Sequence, residues 1–248
     1  MYVYVMGSAR ASEVRSLKAL LNISWLTARQ LAKLAGALTV TRHLKRSTIF
    51  SDKSSSESAY VLLSGVARIT CNNRKGRRTM VIMVAPGLIP AFPKAATGIN
   101  YNFRCEAATN CHVGTIGLNS FVEICLGIES ARFKLLAASF LGRWDRVPMR
   151  CSNLLGCTLD ERLALVLLDL SENFGVPNLR GGVRLSAMVR HADLADLVGA
   201  SRPRVSEHLL ELARKHMISR QNRRWVIYRE RLQAFIATHS DGFSGELV

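Results

Sequence analysis

The chain has 248 residues, with 48% hydrophobic and 21% charged, an ordinary composition for one large or two modest globular domains. No apolar run reaches the roughly 18 residues of a membrane span, and the opening MYVYVMGSAR lacks the make-up of a secretory signal, so a cytoplasmic protein with no membrane partner is expected. Lys and Arg total 34 against 18 acidic residues, a net charge of +16 that favours a polyanionic partner through phosphate contacts and counterion release.

In chain order, Glu13 to Ala35 carries leucines and a tryptophan at helical spacing, and Gly36 stands where that helix is expected to stop. From Thr39 to Ile116 short β-prone runs alternate with turn residues. Strands are expected at Leu38–Leu44, Ala59–Leu63, Val66–Thr70, Thr79–Val84, Asn102–Ala107 and His112–Ile116, with turns at Ser51–Ser58, Ser64–Gly65, Asn72–Gly76 and Pro86–Gly87. Many short strands so close together point to a small antiparallel sandwich or barrel. The chain then returns to helix, short at Ser120–Cys125 and long at Ser130–Leu155, where Phe133, Leu136, Phe140, Leu141, Trp144 and Val147 make a packing seam that Pro148 kinks or ends. Thr158 and Glu161 form a capping-box pattern ahead of a helix over Leu159–Glu172, and Asn173–Gly182 reads as loop.

The segment His191 to Tyr228 holds the most specific pattern. His191–Val198 is a short helix, and Gly199-Ala200 a tight turn. Ser201 is expected to cap a second helix through its side chain, with Pro203 harmless in the first turn. Val205, Leu209, Leu212 and Ala213 face inward, leaving Arg202, Ser206 and Glu207 outward. Arg220–Arg224 is a basic turn between Ile218-Ser219 and a strand at Trp225–Tyr228. Helix, turn, capped helix and β-wing together match a winged helix-turn-helix, whose second helix presents its first residues to the major groove of duplex DNA. Arg202, at the very tip, is suited to bidentate bonding with guanine O6 and N7.

On these residues the chain resembles the bacterial cyclic-AMP receptor protein and fumarate–nitrate regulator family. The resemblance runs from Ser16 to Ile236. It rests on YVLLSGVARIT at Tyr60–Thr70, Pro86-Gly87, Ser152-Asn153-Leu154 and VGASRPRV at Val198–Val205. It implies an α+β chain with three parts: an N-terminal antiparallel β-roll (jelly-roll, cyclic-nucleotide-binding-like) over 14–128, a dimerisation helix over 129–156, and a C-terminal winged helix-turn-helix over 157–238. It also implies a homodimeric transcription regulator reading an inverted repeat in double-stranded DNA, with RNA polymerase as a further partner.

The departures from the family matter. Where its recognition helix often reads S-R-E-T-V-x-R, Ser201, Arg202 and Val205 match, but Pro203 replaces Glu, Arg204 replaces Thr and Glu207 replaces the second Arg. Pro203 cannot accept from cytosine N4. Glu207 either accepts from cytosine or pairs with Arg204. Cyclic-nucleotide binders carry a Gly-Glu pair and a later Arg-Ser or Arg-Thr. Leu88–Asn102 supplies neither, with Tyr101-Asn102 in the Arg-Ser place and Lys94 the only base, so gating by a cyclic nucleotide is not expected. None of the six cysteines is spaced C-x-x-C, and the close N-terminal set that would hold an iron–sulfur cluster is missing. His43, His112 and Cys111 are read as structural rather than haem ligands, Cys105, Cys111, Cys151 and Cys157 as inert thiols more than a redox switch, and no cofactor or metal is expected.

The expected DNA-contacting set is therefore Ser201, Arg202, Arg204, Ser206, Glu207, Arg220, Arg223 and Arg224. Arg202 reads guanine, Ser206 and Glu207 are weaker base readers, and the others hold phosphates. Two readings of other classes compete: a ligand-binding protein whose winged helix docks protein, which predicts little salt-sensitive DNA binding, and an enzyme on the β-roll, for which no nucleophile–base set is present.

Overall fold

The computed structural model describes residues 3–5, 26–51, 58–72, 76, 78–89, 103–125, 146–179 and 181–239. The chain divides into two units, Met1–Val147 and Pro148–Val248.

The first unit is built on two antiparallel sheets. One has the order β1 (Val3–Val5), β2 (Thr39–His43), β9 (Cys111–Gly117), β4 (Ser58–Ser64), β7 (Gly87–Leu88). The other runs β3 (Thr48–Ser51), β8 (Phe103–Ala107), β5 (Ala67–Asn72), β6 (Arg78–Val84). Strand β4 shows why the layers hold. Successive side chains of a strand point to opposite faces, and both faces of β4 are buried. Tyr60 and Leu62 join Phe50, Ile69, Ile82, Val84, Cys105 and Val113 in the main core, with the Phe50 and Tyr60 rings stacked at 4.5 Å. Ala59 and Val61 face the other way, toward Leu31, Leu34 and Phe121 of helices α1 (Ala28–Ala37) and α2 (Leu118–Cys125). A strand covered on both sides reads as the unbroken apolar run AYVLL rather than an alternating one.

Helix α1 starts at a capping box in which Thr27 Oγ1 accepts from Gln30 N–H and the Gln30 side chain accepts from Thr27 N–H. It continues through Gly36 to Ala37 instead of stopping there, and Leu38 N–H still donates to Leu34 C=O. Strands β1, β3 and β7 were not expected from the pattern. Two to four residues are too few for a period to show, and their pairing comes from long-range partners: Val3–Val5 along β2, Thr48–Ser51 along β8, and Leu62 with Gly87. On β8 the buried Glu106 carboxylate accepts from Arg68 at 3.1 Å and Arg78 at 2.5 Å, with Arg104 at 3.9 Å, satisfying the burial of its charge. The single helix expected over Glu13–Ala35 is interrupted at Leu26–Thr27, where Thr27 caps α1; its part at 13–25, residues 130–145 of the helix expected over Ser130–Leu155, and the sensor stretch 90–102 lie outside the described residues.

The second unit packs a sheet of order β10 (Gly175–Pro177), β11 (Val183–Leu185), β13 (Arg224–Ile227), β12 (Ile218–Gln221) with five helices: α3 (Arg146–Gly156), α4 (Leu159–Phe174), α5 (His191–Val198), α6 (Arg202–Arg214) and α7 (Arg229–His239). Pro148 falls in the first turn of α3 as described, where its missing N–H leaves no gap. Thr158 caps α4 through the box with Glu161, its N–H donating to Glu161 Oε2 at 2.6 Å. The helix then buries Leu163, Ala164, Leu167, Leu170 and Phe174 as the unit's central ridge. Asn173–Gly182, expected as loop, holds β10 instead. Gly175 lets that strand pass so close to α4 that an added Cβ would meet Ser171 C=O at 2.0 Å.

Candidate nucleic-acid interface

Helix α5 buries Leu194, Ala195, Leu197 and Val198. Its start is fixed by Asp193, which accepts from Arg190 N–H at 2.9 Å and takes a two-point contact from the Arg190 guanidinium, holding that guanidinium's pKa above its usual value. Gly199 ends the helix in the left-handed region at φ 64°, with the Leu154 side chain close against it. The turn delivers Ser201 to the N-cap of α6, but the expected side-chain cap is absent. A capping hydroxyl accepts from the N–H of the second or third helical residue; Pro203 at the second has none, which leaves the Arg204 N–H as the one donor such a cap could use. Ser201 contributes its carbonyl instead, accepting from Val205 N–H at 3.0 Å.

Helix α6 is anchored by Val205, Leu209 and Leu212, each almost fully buried, and by His208 Nδ1 at 2.7 Å from Asp160 of α4. Arg202, Arg204 and Glu207 are exposed. Among the described residues no ion pair joins Arg204 to Glu207, so that option is not taken. Ser206 departs from expectation. Its hydroxyl donates to Arg202 C=O at 3.0 Å and lies 2.7 Å from His191 Nδ1 on α5. With the hydroxyl proton so committed, the imidazole Nδ1–H is the donor. The His191 pKa is lowered by burial first, then by Arg220 and Arg202 nearby. Ser206 thus ties the first turn of α6 to α5.

The wing completes the surface. The turn is tighter than the Arg220–Arg224 expected. Strands β12 and β13 continue to Gln221 and from Arg224, leaving only Asn222 and Arg223, both at positive φ (50° and 62°), as in a two-residue hairpin of the twist-matched kind. Arg220 and Trp225 face each other across the strands. The Arg220 guanidinium lies 4.2 Å from the indole centroid, the His191 ring stacks on the indole at 5.6 Å, and Trp225 Nε1 donates to Val189 C=O. Arg224 is half-buried and donates to Ser186 C=O, bracing the wing's base, while Arg223 stands exposed at its tip. The structure therefore brings Arg202, Arg204, Ser206, Glu207, Arg220, Arg223 and Arg224 into one unit, with Ser206 and Arg224 as struts. His191 was missed because its partner lies fifteen residues away on another helix, which no local pattern signals.

The other candidate groups lie in the first unit. Cys105 and Cys111 are buried, and burial pushes both thiols up, away from the reactive thiolate. His112 Nδ1 lies 2.9 Å from Ser64 Oγ, and desolvation lowers the His43 pKa against a raising hydrogen bond from the Thr48 backbone. Among the described residues no three potential metal ligands gather, and no helix is long and apolar enough to cross a membrane.

A double-sheet roll in one unit, and in the next a helix-turn-helix with a basic tip and wing, define a protein of the DNA-binding regulator class. The comparisons agree. Residues 161–235 match the model of the Crp-like helix-turn-helix domain, and residues 40–127 that of the cyclic nucleotide-binding domain. The nitrogen fixation regulation protein FixK of Azorhizobium caulinodans is 29% identical over 187 residues, 75% of this chain and 74% of that protein. The global nitrogen regulator of a Nostoc species is 24% identical over 214 residues, 86% and 93% of the two chains. The structure of FixK2 from Bradyrhizobium japonicum shares the fold at a TM-score of 0.65 and 23% identity, covering 79% of this chain and 96% of that one. The chain belongs to the cyclic-AMP receptor protein and fumarate–nitrate regulator (CRP/FNR) family of DNA-binding transcription regulators.

Proposed function

We propose that this regulator works as a cytoplasmic homodimer on an inverted-repeat operator, engaging RNA polymerase from there, and that no cyclic nucleotide gates it. The observation that carries the reading is the tip of α6. Arg202 and Arg204 stand exposed at a helix N-terminus, beside a wing ending in Arg223. Positive side chains and the positive end of the helix dipole converge on one surface, which suits phosphate and the acceptor edge of guanine. Arg202 reads guanine O6 and N7, and Glu207, free of Arg204, accepts from a cytosine N4. Ser201, Arg204, Arg220 and Arg223 hold phosphates and fix register, with Ser206 positioning Arg202 from behind and Arg224 bracing the base of the wing.

Two protomers place two such helices about 34 Å apart, one turn of duplex. The exposed Met149, Leu154 and Leu155 on α3 supply apolar surface of the kind a dimer buries. The absence of a Glu and an Arg-Ser pair from Leu88–Asn102 supports the lack of nucleotide gating. Mass measurement of the complex on a selected duplex should give two protomers per inverted repeat, and one protomer per duplex would overturn the dimer. Calorimetry should register no heat with cyclic AMP or cyclic GMP; saturable binding of either would overturn the ungated reading.

A further inference from the structure

We infer that α6 reads thymine as well as guanine, through two apolar side chains, Pro203 and Leu210, that contact thymine C5-methyl groups in the major groove. The inference rests on the operator reading above. Its starting point is the phase of the helix. Val205, Leu209 and Leu212 define the buried row, and at 3.6 residues per turn Pro203, Glu207, Leu210 and Arg214 form a stripe about 60° wide on the opposite side. All four are exposed. Leu210 is 53% exposed, one of eight exposed large apolar side chains among the described residues, and it is out of phase with every leucine that packs the helix onto α4 and α5.

Leu210 lies opposite the buried row, so its side chain is left for whatever that face meets. On the face that enters the groove its chemistry has a partner. The thymine methyl is the one apolar group on a base-pair edge there, and apolar side chains recognise it. Pro203 adds a second apolar group at the same face, where its ring can donate nothing and accept nothing. Ser206, the polar residue flanking the stripe, has its hydroxyl bonded to Arg202 C=O and close to His191 Nδ1. The outward row then runs apolar, acidic, apolar at Pro203, Glu207 and Leu210, before Arg214, which pairs with Glu211.

Seven residues separate the two apolar groups, about 10 Å along the helix axis. Along the path of the groove that is two or three base-pair steps, so each half-site should carry two thymines at that spacing, with a cytosine that Glu207 accepts from in between or opposite.

The test uses the full-length protein and duplexes of its selected operator in which each thymine in turn is replaced by deoxyuridine. This removes the methyl and keeps the base pair. Two positions per half-site should lose about five- to tenfold in affinity, the low end of the range for a lost base-specific contact. Leu210→Ala should abolish the loss at one position, and Pro203→Ala at the other, with the salt slope unchanged because no phosphate contact is removed. Both residues are exposed, and the thermal melt of each variant checks that the helix is intact. A specific complex indifferent to every deoxyuridine, or a penalty that persists in both variants, would overturn this inference alone. Failure to form any sequence-specific complex would overturn the operator reading and this inference with it.

Discussion

Arg202 and Arg223 carry the same charge and are both exposed, yet their surroundings assign them different work. Arg202 projects from the first helical position of α6, whose first turn is held from behind by Ser206 and His191. Its Ala variant should lose about 1–3 kcal/mol, and only on duplexes bearing the guanine it reads. Titrations on operators altered one base pair at a time should show one position becoming indifferent. Arg223 stands at the wing tip with φ 62°, a conformation that costs a non-glycine residue about 1–2 kcal/mol. The strained position is occupied by the side chain that brings charge to the tip. Arg223→Gly should therefore raise the melting temperature while weakening binding on all sequences alike and flattening the salt slope by about one.

His191 has a pH signature. Its folded pKa lies below the free value of 6.5 because of burial, Arg220 and Arg202. As pH falls through about 6.5, the unfolded chain takes up a proton that the folded chain resists, so stability declines with acidification until the folded pKa is passed. His43 pulls the same way in the other unit. The comparison is therefore the slope of melting temperature against pH for wild type and His191→Phe, which should be shallower in the variant.

At the scale of elements, the turn between α5 and α6 sets the angle at which Arg202 is presented. Gly199 has φ 64°, and an added Cβ would sit 2.7 Å from Leu154 Cδ2. Gly199→Ala should destabilise the second unit by about 1–2 kcal/mol, read by chemical denaturation. The helices and this turn were legible in the sequence because their signals are local: Thr158 with Glu161, Gly199 after Val198, Pro203 in a first turn. What the sequence hid depends on partners far along the chain. Strand β10 forms only against β11, β1 only against β2, and the wing turn shrinks to two residues because Arg220 pairs with Trp225. Part of the reason the cap expected of Ser201 is absent was readable: Pro203 removes one of the two N–H donors such a cap could use. Leu210 was also readable, as a leucine out of step with its neighbours.

For the whole molecule, the net charge of +16 is the background on which the specific contacts act. On the proposed reading it supplies salt-sensitive attraction to any duplex, and contacts at α6 and the wing supply selection. The fold class was legible, since a β-roll followed by a winged helix leaves a period-two and then a period-3.6 trace. The Ser206–His191–Trp225–Arg220 chain that organises the surface at α6 and the wing joins two helices and a hairpin, and only the fold brings them together. The central claim is that this surface selects sequence without an added effector. Its most direct test is selection from random duplex DNA by the purified full-length protein. Enrichment of an inverted repeat with half-sites one helical turn apart, each containing a guanine that Arg202→Ala no longer requires, is the predicted result. Recovery of unrelated duplexes that all dissociate alike as salt rises would contradict it.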